Sequence, residues 1–76
     1  MDIIRLKPRD LAPFDADFIR IDTLPSGRLC LMGSTGRPFS GIVDLGVHAT
    51  LMDAEAEGLR WAASKDVKEL YVETWQ

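Results

Sequence analysis

One stretch of this chain is long and regular enough to form a helix, and it falls between segments that read as short strands and turns. Thr50-Leu-Met-Asp-Ala-Glu-Ala-Glu-Gly-Leu-Arg-Trp-Ala-Ala-Ser-Lys65 opens on a threonine whose hydroxyl can cap the first turn. Asp53 stands three residues later, in the position of a capping-box acid. Acids gather in the first two turns and Lys65 closes the last, as the helix macrodipole favours. A chain of 76 residues with one such helix is expected to lay it on a single sheet.

The flanking segments supply that sheet. Asp2-Ile-Ile-Arg-Leu-Lys7 is a short strand ended by Pro8, and Pro8 to Ala16 is a loop that also contains Pro13. Asp17 to Leu24 alternates, with Ile19, Ile21 and Thr23 on one face and Phe18, Arg20 and Asp22 on the other, the pattern of a half-buried strand. Leu24-Pro25-Ser26-Gly27 is a tight reversal, because proline presets φ and glycine permits the left-handed region. It leads into Arg28 to Met32, which is apolar on both faces and so belongs in a covered, central position. Phe39 to Val43 is expected as a third strand, and Asp44 to Ala49 as the connection to the helix. Val67 to Trp75 alternates again, Leu70, Val72 and Thr74 against Tyr71, Glu73 and Trp75, and is expected as an edge-type strand. The order is β-β-β-α-β with an extra strand in front, which predicts an α+β fold of one domain over residues 1–76, a small antiparallel sheet with one helix on its face.

Rotating each helical residue by about 100° from the last sorts the helix into faces. Asp53, Glu57, Arg60 and Ser64 share a polar stripe. Met52, Ala56, Leu59 and Ala63 form an apolar arc beside it, extended by Ala62, and this arc is expected to pack on the sheet. Trp61 and Ala54 then lie across the polar stripe from the core. In that position the indole either covers the loop from Pro8 to Ala16 or stands in solvent as an interface anchor, since tryptophan often dominates binding energy. Trp75, beside Tyr71, poses the same choice.

Length and charge narrow the functions available. A domain this small buries only about 60% of the surface of its unfolded chain, so a partner or a dimer is a live expectation. The hydrophobic content of 46% and charged content of 28% are those of a folding globular chain. No stretch approaches the roughly 20 apolar residues of a membrane span, and the first ten residues lack a signal-peptide core, so a cytoplasmic location is expected. Up to Ser40 six Lys/Arg oppose five Asp, giving +1; from Gly41 onward three Lys/Arg oppose seven Asp/Glu, giving −4. The acidic half disfavours nucleic acid and suits a basic partner.

Chemistry-bearing patterns are sparse. Ser34, Thr35, Ser40, Asp44 and His48 include the residue types of a hydroxyl nucleophile, its base and its orienter, but a triad also needs an oxyanion hole and a cleft. Gly33-Ser-Thr-Gly36 could turn backbone N–H groups toward an anion, yet no Gly-Lys-Ser/Thr follows it. A lone Cys30 and a lone His48 cannot build a zinc site, and the acids have no calcium-loop spacing, so neither metal nor cofactor is expected. Cys30 reads as a small buried hydrophobe. Asp53, Glu55 and Glu57 point in different directions from the helix and read as a solvated acidic face.

The order β-β-β-α-β, the segment Val43-Asp-Leu-Gly-Val-His48 and the helix opening Thr50-Leu-Met-Asp-Ala54 resemble the partial RNase H-like module of HicB-type antitoxins. Val43 stands where that family has the first proline of its turn, the second proline is absent, and a DNA-binding tail is not expected. The chain is also similar in size and acidity to phage anti-CRISPR inhibitors. The resemblance implies a compact acidic protein that works by occupying its partner. The functional expectation is therefore a non-enzymatic inhibitor or adaptor that docks the acidic helix on a basic protein surface, with a protein that otherwise binds nucleic acid as one candidate. Asp53, Glu57 and Glu69 would steer association, and Trp61, Tyr71 and Trp75 would anchor it. The alternative is a homo-oligomeric domain whose Gly33 to Pro38 loop holds a small anion.

Overall fold

The computed structural model describes residues 1–36 and 41–75. Five strands and one helix follow in the order β1 (Asp2–Arg5), β2 (Asp17–Thr23), β3 (Leu29–Ser34), β4 (Val43–His48), α1 (Leu51–Ser64) and β5 (Glu69–Trp75). The strands form one sheet in the order β1-β5-β2-β3-β4. The fold is α+β, with the helix on one face of the sheet, as the alternation and the single helical segment require.

The antiparallel part of the sheet is the meander β2-β3-β4. Leu24 donates its N–H to the Arg28 carbonyl at 2.8 Å and Gly27 donates to Leu24 at 2.9 Å, which closes the first reversal. Ile19 then faces Gly33, and Ile21 faces Leu31. The remaining strands make the sheet mixed rather than wholly antiparallel: β5 runs parallel to β2, and β1 runs parallel to β5. Alternation fixes which residues share a face, not which way a strand runs. Direction was decided by the connections, because a parallel neighbour requires the chain to recross the sheet. Helix α1 makes that return between β4 and β5, and residues 6–16 make it between β1 and β2. The strand β5, expected at an edge, is consequently internal, between β1 and β2.

The strand β4 occupies the segment expected to be a connection. Met32 pairs with Asp44 and Cys30 with Val47, so Leu31 alone opposes both Leu45 and Gly46. This is a β-bulge, and its extra residue breaks the period-two pattern that would have revealed the strand. Asp44 Oδ1 accepts the Gly46 N–H at 2.9 Å, which settles the bulge locally. Of the expected third strand, Phe39 and Ser40 lie outside the described residues. A bulge on the exposed edge also discourages edge-to-edge pairing with another chain.

The core is Ile19, Ile21, Leu31, Ala54, Ala62, Val67, Leu70 and Val72, with Leu29, Leu45, Leu59 and Trp61 packed against it. The faces read for β2 and β5 put Ile19, Ile21, Leu70 and Val72 inside, as expected. The Thr50 hydroxyl accepts the Asp53 N–H at 3.1 Å, so the expected cap is in place. Among the described residues no helix is long and apolar enough to cross a membrane.

Candidate functional site

The helix is turned differently on the sheet from the expected orientation. Ala54, Gly58 and Ala62 are buried, whereas Met52 is 81% exposed and Ala56 and Ala63 face solvent. The arc Met52, Ala56, Leu59 and Ala63 is therefore the outer surface, except that Leu59 leans against the core. Size decided the choice. A Cβ on Gly58 would lie 2.5 Å from Ile19 Cδ1, so the helix approaches β2 and β3 more closely than a line of larger side chains would allow. The repeat of Ala54, Gly58 and Ala62 at every fourth position was the sequence signal for that close approach.

Trp61 lies on the same inner side. A Cβ on Gly33 would lie 2.7 Å from Trp61 Cζ3, which puts the indole directly on the β3 backbone. It therefore neither covers the loop between β1 and β2 nor stands free in solvent. Its contribution is to hold the helix on the sheet through the large apolar area of an indole.

The far face of the sheet is closed by a polar tie. Glu73 is only 2% exposed, and its carboxylate accepts the Ala12 N–H at 2.7 Å and the Arg20 Nε–H at 2.9 Å. One buried carboxylate thus binds the crossing loop to β5 and β2 at once. The Arg20 guanidinium also lies 4.9 Å from the centre of the Trp75 ring, within cation–π range. The Trp75 indole N–H is buried and finds no acceptor among the described residues. Tyr71 and Phe18 are opposite one another on this face. The Tyr71 phenol is raised above its ordinary pKa, first by burial and then by the neighbouring Glu69 carboxylate, which it also hydrogen-bonds.

The six expected contact residues therefore occupy three places. Asp53 and Glu57 are on the outer surface of α1, and Glu57 accepts from Arg60 Nη2 at 2.6 Å. Trp61 lies beneath the helix. Glu69, Tyr71 and Trp75 belong to the opposite face of the sheet. The residues that sequence reasoning placed in the core, Met52 and Ala56, are instead gathered at the surface with Leu51 and Leu59. Together with Glu55 they line a shallow groove along α1. Glu55 is held by an ion pair with Arg5 of β1.

The groups considered for chemistry are engaged locally. His48 Nε2 lies 3.1 Å from the Leu45 carbonyl, and the Asp44 carboxylate is taken by Gly46. Ser40 lies outside the described residues. In the loop considered for an anion, Gly33 and Ser34 belong to β3, and the Gly36 N–H donates to Asp17 Oδ1 at 2.8 Å. That donor already faces a carboxylate. Arg37 and Pro38 lie outside the described residues. No three His, Cys, Asp or Glu side chains among the described residues are grouped so that they could hold a metal ion. Cys30 is unpaired and half-buried.

No protein-family model, curated protein or solved structure matches this chain.

Proposed function

We propose that this chain is a small non-catalytic binding protein, an inhibitor or adaptor of the antitoxin or phage anti-defence kind, that docks the outer surface of α1 on a basic protein partner. The observation that carries this reading is the groove of Leu51, Met52 and Ala56, apolar and exposed, lined also by Leu59 and Glu55, with Asp53 next to Met52 in the first turn. Large exposed apolar side chains in a contiguous strip, rimmed by charge, are the composition of an interface. The −4 balance from Gly41 onward supplies the long-range attraction to a basic surface. In this reading Met52 and Leu51 take the anchoring role that sequence reasoning gave to Trp61, because the indole is committed to Gly33. Asp53 steers, and Glu57 contributes less because Arg60 neutralises it.

The test is capture of partners from the native host by wild type and by two variants, Met52→Glu and Asp53→Lys. Both are expected to lose the same specific partner, and that partner's association rate with wild type is expected to fall as salt rises. Phe18→Ser, on the far face, is expected to retain it. Capture of an unchanged set of proteins by Met52→Glu and Asp53→Lys would reject the reading.

A further inference from the structure

The outer arc of α1 has an internal order that a general apolar patch does not need. Met52, Ala56, Leu59 and Ala63 are spaced by four, three and four residues, the spacing of a two-stranded coiled-coil seam; Met52, Ala56 and Ala63 are exposed, and Leu59, half-buried against the core, keeps its remaining surface in the groove along α1. On that register Asp53 and Arg60 occupy equivalent flanking positions, one heptad apart and opposite in charge. We propose that a second copy of this chain packs on α1, helix against helix and antiparallel, across a two-fold axis passing between Ala56 and Leu59.

Two features select the antiparallel pairing. The first is volume. Antiparallel, Met52 meets the second copy's Ala63 and Ala56 meets the second copy's Leu59, so every layer sets a large side chain against a small one. Parallel helices would stack alanine on alanine at two layers and leave voids between the Met52 and Leu59 layers. The second feature is charge. Antiparallel seams bring like-named flanking positions together, so Asp53 reaches Arg60 of the second copy and Arg60 reaches its Asp53, forming the contact twice by symmetry. Arg60 already donates to Glu57 within its own helix, and a guanidinium has donors left for a second carboxylate. Glu55, which a parallel pair would need opposite Arg60, is instead held by Arg5.

The seam covers only the fourteen residues of α1. A seam of one short helix with two alanines among its four layers offers little area compared with a standard stable complex, so the dimer is a weak one that forms at high protein concentration. It uses the face assigned above to a basic partner, and the two associations exclude one another. The dimer does not depend on that partner, since it is measured on the purified chain alone.

Sedimentation velocity of the purified chain, from about 10 µM to about 1 mM, should show a concentration-dependent monomer–dimer equilibrium. Ala56→Glu, at an exposed position, should abolish it while leaving the circular dichroism and melting of the monomer unchanged. Asp53→Arg and Arg60→Asp should each weaken association at least about fivefold by opposing like charges, and the double exchange Asp53→Arg/Arg60→Asp should restore it. A chain that stays monomeric throughout this range overturns the proposal. So does a dimer unaffected by Ala56→Glu, which would place its interface elsewhere. A double exchange that remains as weak as the single ones overturns the antiparallel arrangement. None of these outcomes bears on capture of a basic partner, which is read separately.

Discussion

The two faces of this sheet are closed by different physics. On the helix face the fit is one of shape: Ala54, Gly58 and Ala62 let α1 come down on Ile19 and Leu31, and the Trp61 ring fills the space over Gly33. On the far face an eleven-residue crossing at residues 6–16 turns its large apolar side chains Leu11 and Phe14 to solvent instead of into the core. There Leu6 and Arg9 donate to the β5 carbonyls of Val72 and Thr74, and beyond them a buried carboxylate, Glu73, ties in the loop by accepting from Ala12 and from Arg20. A short connection without secondary structure cannot bury its backbone donors in a core, so it needs an acceptor brought to it. A helix satisfies its own donors and needs only a complementary surface.

The difference can be broken or sharpened by mutation. The largest effect is expected on the helix face, where Trp61→Ala removes the ring that fixes α1. A loss of about 3 kcal/mol is expected, at the lower end of the range for tryptophan because the ring is half-exposed. Met52→Ala, on the outer arc, should change stability by less than about 0.5 kcal/mol. Denaturant unfolding of the two variants measures both, and equal losses would show that the outer arc also supports the fold.

On the far face, Glu73→Gln should cost about 2 kcal/mol, because it leaves Arg20 unpaired and weakens the bond to Ala12. Its signature differs from that of Trp61→Ala. Limited proteolysis within residues 6–16 should accelerate in Glu73→Gln before global unfolding sets in, and should not do so in Trp61→Ala at matched stability. Uniform acceleration in both would mean that the loop and the helix open together.

The smallest effect is one of pH. Burial and Glu69 favour the neutral Tyr71 phenol in the folded state and hold its pKa above the ordinary 10.0. The stabilisation from this group is complete below about pH 10 and is lost as pH rises through the folded value. Wild type should therefore lose stability in that alkaline window more steeply than Tyr71→Phe. Parallel pH profiles for the two would remove the phenol from the account.

Much of the architecture was legible in the chain. Alternation gave the inner faces of β2 and β5, Thr50 gave the start of α1, and the two-sided apolar character of Leu29 to Met32 gave a covered β3. The misreadings have definite causes. Strand β4 was hidden because a bulge at Leu45 and Gly46 interrupts its period. The helix was laid partly on the wrong side: Ala62 and Leu59 do pack on the core, but α1 is apolar over more than half its circumference, and Met52, Ala56 and Ala63 were grouped with them in place of Ala54, Gly58 and Trp61. Close packing of a helix on a sheet favours the smallest side chains, so Ala54, Gly58 and Ala62 went inside and Met52 outside. The site residues expected on a single surface were divided by two causes: the rotation of α1 put Trp61 beneath the helix, and alternation in β5, with Leu70 and Val72 buried, put Glu69, Tyr71 and Trp75 on the far face.

By itself, the sequence determined the helix and its cap, the strands β1, β2, β3 and β5, the alternating faces of β2 and β5 and the acidic balance of the second half. These rest on local backbone preferences and on periodicity, which neighbours in the chain are enough to set. Only the tertiary structure decided strand direction, the inner position of β5, the burial of Glu73 and the commitment of Trp61 to Gly33. Each of those joins residues far apart in the chain, and which of two apolar arcs is buried depends on the shape of the surface that meets it.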